Sequence, residues 1–312
     1  MAADQGLTTA TPAGPSGPSV PSVPRGPDRR GALSAFFAPK RRTRLAALLS
    51  LPMLWLVVAY LGSIGVLLAS AFWTRDYFTG NVVHQLSTSN LHAVYTESIY
   101  RTVALRTLGV AVLVTVIDAL IAFPMAFYMS KVAHHRTRTV LVIAVLSPLW
   151  ASYLVKAYAW RTLLAPNGPL AWLTGGHTPG YGLTATVITL AYLWLPYMVI
   201  PVFAGFERVP WSLLEASADL GAGAGRTIRS VIVPMVFPAI AAGSIFTFSL
   251  TLGDYIAVSI VGGKTQLLAN LIYGQLVVAQ NQPLAAALTT IPLAAIVLYL
   301  LLMRRTGALE NV

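Results

Sequence analysis

Two kinds of feature in this 312-residue chain could do chemistry: charged and aromatic side chains set inside long apolar runs, and one patterned polar loop between two of those runs. Asp118 falls near the middle of an apolar run and Asp254 at the end of another. A charge at the centre of a membrane helix costs about 2.5–3.5 kcal/mol on insertion scales, so each carboxylate calls for a partner or a cavity. A carboxylate facing the interior of a helix bundle could meet a cationic substrate, and Tyr192, Trp194 and Tyr197 could offer cation–π faces beside it. Plainer readings stand next to these. Asp118 could be satisfied by neighbouring hydroxyls or a basic group, Asp254 by nearby backbone amides or Lys264, and the aromatics could simply pack.

Chemistry of other kinds finds no residues. The chain has no cysteine, which removes disulfides, cysteine-ligated zinc, iron–sulfur clusters and thiol catalysis. The five histidines, His134-His135 among them, show no metal-ligand spacing, and no Ser/His, His/Glu or paired-Asp arrangement lies within the apolar runs, which argues against an intramembrane enzyme. Gly263-Lys264-Thr265 imitates the end of a phosphate-binding loop, but the first glycine of that motif would fall at Val258. The expectation is a chain that hydrolyses no ATP and binds no cofactor or metal.

The polar loop has internal order. Val209 to Leu220 reads as a short helix, with Pro210 suited to its first turn and Gly221 supplying a stop that can adopt positive φ. After the breaker Gly221-Ala222-Gly223-Ala224-Gly225, Arg226 to Ser230 leads into a further apolar run that opens Val231-Ile232-Val233-Pro234. A helix, a glycine turn and a second helix would form a projecting knob. Its small residues, Ala216, Ser217 and Ala218, would let another protein's backbone approach closely.

The elements that must position these groups follow from composition. With 56% hydrophobic and 10% charged residues and a mean hydropathy of +0.70, the chain belongs to the membrane class rather than to soluble two-domain proteins. The net charge of +11 is spread between apolar runs, which argues against a nucleic-acid binder. Crossing roughly 30 Å of hydrocarbon takes about 20 apolar residues. Six runs qualify or nearly so: 45–73, 104–130, 139–156, 184–206, 231–253 and 284–303. With both termini cytoplasmic, fifteen of the 21 basic residues fall on the inside, the six others being Arg75, Arg101, Arg106, Lys156, Arg161 and Lys264, as the positive-inside rule requires. Pro196, Pro201, Pro234 and Pro238 could bend the fourth and fifth spans and so gate a path, or could be ordinary membrane-helix prolines. Residues 1–44 read as a disordered, Pro-rich cytoplasmic tail ending in the basic cluster Lys40, Arg41, Arg42 and Arg44; 45–306 as the membrane domain with its inner loop at 207–230; and 307–312 as a short cytoplasmic tail.

Glu215-Ala216-Ser217, Gly221 six residues after the Glu, and then Val231-x-Val233-Pro234 resemble the EAA signature of ABC importer permeases, with matching spacing and small, size-conserving replacements. The resemblance extends from Leu45 onward, and Pro210, Leu220-Gly221, Leu252-Gly253-Asp254-Tyr255 to Gly262-Gly263, Tyr158-Ala159-Trp160-Arg161 and Asn167-Gly168 look most similar to the spermidine/putrescine branch. It implies an all-α membrane protein with six transmembrane helices and the type I ABC importer (MetI-like) permease fold, in the cell membrane. It also implies a polyamine importer subunit that pairs with a second permease, receives substrate from an extracytoplasmic binding protein, and docks a separate ATPase dimer, which carries the ATP and Mg, on Glu215, Ala216, Ser217 and Gly221. The knob could instead be a cap and turn joining two spans. A permease for another small solute is the alternative within the family. A self-sufficient secondary transporter or channel is the alternative outside it, but no convincing internal repeat supports that reading.

Overall fold

Hydrocarbon offers no hydrogen bonds, so a spanning chain of this composition must satisfy its backbone internally, as helices, and any break must find its own partners. The computed structural model describes residues 41–76 and 78–304. Residues 1–40 of the expected disordered tail, 1–44, and the last residues, 305–312, lie outside them, while residues 41–44 of that tail are corrected to helix. The chain divides into units of residues 1–61 and 62–312. In the first, helix α1 (Arg41–Ser70) begins, and large side chains such as Trp55 and Tyr60 are exposed along it. Its apolar stretch, Pro52–Ser70, is long enough to span.

The second unit continues with a two-stranded antiparallel ribbon, β1 (Thr74–Arg75) and β2 (Val82–Val83), and the short helix α2 (Ser89–Thr96). The second span, α3 (Ser98–Phe127), is extended by a π-helical turn to Val132 and so starts six residues earlier than the sequence suggested. Helices α4 (His135–Trp150), α5 (Tyr153–Leu164) and α6 (Pro169–Leu173) follow, then the fourth span α7 (Leu183–Glu207). The inner loop forms α8 (Trp211–Asp219) and α9 (Ala224–Thr227), which runs through a second π turn into the fifth span, α10 (Val233–Gly253). Helices α11 (Ile256–Val261) and α12 (Leu268–Tyr273) precede the last span, α13 (Gln282–Arg304).

One expected span is corrected. Residues 139–156 do not form a continuous helix: the chain breaks after Trp150 and turns by 100° into α5 and α6. Pro148 lies inside α4, where its missing N–H leaves the Ala144 carbonyl to the Ser147 hydroxyl at 3.0 Å, and the helix runs on to Trp150 before Ala151 and Ser152 turn extended, with ψ of 144° and 134°. The carbonyl of Pro148 accepts the Ala151 N–H at 3.3 Å and, from across the break, Lys156 Nζ at 2.9 Å. The described residues thus contain five helices long and apolar enough to span, and six spans when the bent pair is counted as one. Pro196, Pro201 and Pro238, by contrast, lie inside helices that continue through them.

The core is the packing of α3, α7 and α10. Met198, Val199, Val202 and Phe206 of α7 meet Ala122, Ala126 and Met129 at the end of α3, and Val236 of α10 closes the cluster. Two glycines set how near α7 and α10 come. A Cβ at Gly205 would lie 2.5 Å from that of Ala239, and one at Gly243 would lie 2.8 Å from Met198 Sδ and 3.0 Å from Pro201 Cγ. Small residues at such crossings let membrane helices gain van der Waals contact where no hydrophobic driving force exists between them. Gly205→Val or Gly243→Val should therefore lower thermal stability in detergent by the equivalent of about 1–3 kcal/mol of overpacking. Gly109→Ala, where a Cβ meets nothing within 4 Å, serves as the control; equal melting temperatures for all three variants would contradict this account of the crossing.

Candidate functional site

Two sites lie at opposite ends of the α3–α7–α10 core. The first is the knob. Helix α8 starts after Pro210, which stands at the N-cap rather than inside the first turn, with extended backbone (φ −74°, ψ 145°). It ends where Gly221 takes φ +74°; Ala222 N–H bonds to Ser217 O at 3.0 Å and Gly221 N–H to Ala218 O at 2.8 Å, the paired bonds of a glycine-terminated helix. The Ser217 and Thr227 hydroxyls, 2.8 Å apart, tie α8 to α9 across the turn. Leu214 packs onto the core while Glu215 and Ala216 face outward, and Leu220 is 88% exposed. The hairpin thus presents carboxylate, small and apolar surface on one projecting element.

The short basic loop near residues 131–138, which sequence reading passed over, braces this knob. Lys131 Nζ donates to Val209 O at 2.6 Å and stands 5.7 Å from the Trp211 ring centroid. Arg138 forms a 2.7 Å ion pair with Glu207 and lies 5.0 Å from the Phe203 ring. Both basic groups reach from the end of α3 and the start of α4 to the junction of α7 and α8, so the knob is fastened to three spans. Only the high local content of Lys and Arg signalled this in the sequence, and topology explains that content equally well.

The second site is a cleft of about 310 Å³ lined by Tyr153, Trp194, Ser249, Leu250 and the run Gly253 to Ile256. Its one charged lining group is Asp254, the C-cap of α10, 6% exposed. Asp254 Oδ1 accepts the Ala257 N–H at 3.0 Å, capping α11, while Oδ2 accepts the hydroxyl of Tyr153. Backbone capping, one of the two plain readings of Asp254, is therefore present, whereas pairing with Lys264 is not: Lys264 lines a separate cavity with Arg106 and Gln266. Trp194 lies over Tyr153, ring centroids 6.0 Å apart and planes at 27°, and touches Tyr197 at 5.9 Å. Tyr192 turns away to pack on Trp160 at 5.2 Å. Of the five residues singled out for a path, Asp254 and Trp194 line the cleft, Tyr197 adjoins it through Trp194, and Tyr192 does not line it.

Asp118 stands apart. It is fully buried in α3 and neither carboxylate oxygen has a hydrogen-bond partner among the described residues. The neighbouring hydroxyl of Thr115, one turn earlier, is spent on Ala111 O at 2.7 Å. Of the cleft residues that sequence reading missed, Tyr153 is the one whose side chain bonds to Asp254. Its signal was Pro148 in the middle of an apolar run, which marks the break that delivers Tyr153 to Asp254.

Comparison with known proteins agrees with this geometry. Residues 47–308 match the family model described as "Binding-protein-dependent transport system inner membrane component". The inner membrane ABC transporter permease protein YdcU of Escherichia coli is 41% identical over 298 residues, covering 90% of this chain and 95% of that protein. The spermidine/putrescine transport system permease protein PotB of Escherichia coli is 29% identical over 266 residues, covering 82% and 95%. Among solved structures, a chain of the bacterial alginate ABC transporter superposes with TM-score 0.65 at 15% identity, covering 86% of this chain and 95% of that one. A chain of the MetNI methionine ABC transporter superposes with TM-score 0.53 at 16% identity, covering 65% and 92%. With residues 47–308 matched to one family, the chain belongs to the binding-protein-dependent transport system inner membrane components, the permeases of ABC importers.

Proposed function

We propose that this permease carries small organic polycations of the spermidine/putrescine kind, and that the cleft at Asp254 is a station on their path. The observation that carries the reading is the cleft itself: one buried carboxylate, no cationic lining residue, two aromatic rings in stacking order, and apolar walls from Leu250 and Ile256. An ammonium finds there a charge partner and a π face, and a methylene chain finds apolar surface. The 29% identity to a spermidine/putrescine permease supports the same reading.

In this scheme the knob lies in the cytoplasm with both termini, and the cleft faces the extracytoplasmic side, where a binding protein delivers substrate. A second permease completes the path. A separate ATPase dimer, holding ATP and Mg, docks on Glu215, Ala216, Ser217 and Gly221, and its movement reaches α3, α4 and α7 through the Lys131 and Arg138 braces. This chain supplies the path and the docking surface; hydrolysis takes place on the partner.

Two experiments test the parts separately. Purified from native membranes in mild detergent, the wild-type chain is expected to retain an ATPase and a second permease, and Glu215→Arg to lose the ATPase; a chain that comes out alone and transports without ATP would overturn the scheme. In proteoliposomes holding the whole transporter, Asp254→Asn is expected to cut spermidine uptake at least tenfold with the complex still assembled. Unchanged uptake would take Asp254 out of the path.

A further inference from the structure

Tyr153 and Asp254 are each the residue at a break in the chain. Tyr153 is the first residue of α5 after the 100° turn in the third span, and Asp254 is the first residue beyond α10. Their side-chain bond joins positions 101 residues apart. The Ala257 N–H lies 3.3 Å from the Tyr153 oxygen and 3.0 Å from Asp254 Oδ1, so three groups converge on one point at the cleft wall. Farther along α5 a second tie holds: Arg161 donates to Ile260 O at 2.7 Å, and Ala157 and Leu164 pack with Ile260 and Val261. Helix α5 is thus anchored to α11 along its length, while its first residue is held by the hydroxyl bond to Asp254.

The arrangement is electrostatically incomplete. Among the described residues, the partners of this 94%-buried carboxylate are neutral donors, a phenol and backbone amides. A charged donor makes a hydrogen bond roughly twice as strong as a neutral one, and a buried carboxylate gains most from a group that also cancels its charge. The Tyr153 ring meanwhile stacks on the Trp194 ring, whose indole N–H is buried without a partner among the described residues. The phenol therefore occupies both things an organic ammonium would seek in the cleft, an oxygen of the carboxylate and the face of the indole.

We infer that Tyr153 is an internal stand-in for the substrate's ammonium, and that the Tyr153–Asp254 bond is a latch that an alkylammonium opens by taking the hydroxyl's place on Oδ2. The inference rests on the reading of the cleft as a cation path and adds its regulation. Exchange breaks one O–H···O bond, along with the 3.3 Å contact of the Ala257 N–H to the phenol oxygen, and forms one N–H···O bond, with no proton transferred; the Ala257 N–H keeps its bond to Asp254 Oδ1. Because the phenol belongs to the first residue after the break, substrate arrival loosens the elbow between α4 and α5, leaving the Lys156 bond to Pro148 O as the tie across it. The Arg161 tie keeps α5 on α11, so the released movement is confined to the break. Ligand would thereby select the conformation in which the elbow is loosened, by the difference between its bond to Asp254 and the hydroxyl's.

The test uses the whole transporter in proteoliposomes, with its binding protein and spermidine. Tyr153→Phe keeps the ring and removes the donor. It is expected to lower the apparent KM for spermidine threefold or more, since no internal donor has to be displaced, and to raise ATP hydrolysis in the absence of spermidine by at least twofold. The chain has no cysteine, so Ser152→Cys reports on the elbow directly, even in a variant that transports poorly. Labelling of Ser152→Cys by a water-soluble maleimide should quicken at least threefold when spermidine is supplied, and should already be fast without it in the Tyr153→Phe background. If Tyr153→Phe changes neither KM nor basal hydrolysis, and labelling ignores spermidine, there is no latch, while an uptake loss in Asp254→Asn would still uphold the cation path. If Asp254→Asn transports normally, the path reading fails and the latch with it.

Discussion

Every interruption of a helix within the hydrocarbon must be repaid in hydrogen bonds, and the repair of one such interruption organises this molecule. The third span ends its first helix at Trp150, two residues past Pro148, and turns, and the turned segment brings a lysine back to the Pro148 carbonyl in the last helical turn. The same turn carries Tyr153 to Asp254, where α10 has also run out. A defect in one span is thereby satisfied by the end of another, and the cleft is the space between the two repairs. Its lining residues belong to α5, α7, α10 and the start of α11, a combination that no single amphipathic helix could provide.

Around that cleft the frame is held tightly. Helices α7 and α10 meet at Gly205 and Gly243 with no room for a methyl group, and α3 packs against both. Close-packed helices of this kind pass displacement along rather than absorb it. At the far end, Lys131 and Arg138 fasten the knob to α3, α4 and α7. A push on α8 therefore acts on several spans together. The π-helical turns at Tyr128–Val132 and Ile228–Ile232 fall where α3 and α10 approach that knob, and such turns interrupt the regular α-helical bonding where a helix changes direction or meets a functional element.

How much of this was legible in the sequence depended on whether the controlling interaction was local. Span length, helix α8 and the positive φ of Gly221 are set by residues within a few positions, and apolar run length, a proline followed by nine helical residues, and a glycine after the last turn gave them away. The family signature rests on the same local spacing, and the comparison over residues 47–308 agrees with it. The break at Ala151–Ser152 was signalled by Pro148, but prolines inside α7 and α10 carry the same signal and are tolerated. What separates them is a partner elsewhere: Lys156 for the carbonyl of the last helical turn and Asp254 for the displaced tyrosine. Sequence spacing cannot report a contact 101 residues apart, nor that Lys264 would line another cavity with Arg106 and not pair with Asp254.

The two membrane carboxylates show how position alone misleads. Both were candidates because a charge in an apolar run is costly, yet they meet opposite fates. Asp254, at a helix end, finds a free backbone N–H in the next helix, because the first turn of any helix has donors to spare. Asp118, in the middle of α3, has no such donors: each nearby N–H is engaged along the helix, and the hydroxyl one turn away bonds back to its own backbone. It lies between the two apolar clusters of the core, buried and without a partner among the described residues. A carboxylate at a helix end can be held by the fold and still be offered to a ligand, whereas one in mid-helix gets only what neighbouring helices bring. That difference, rather than depth or charge, is why the cleft formed at Asp254.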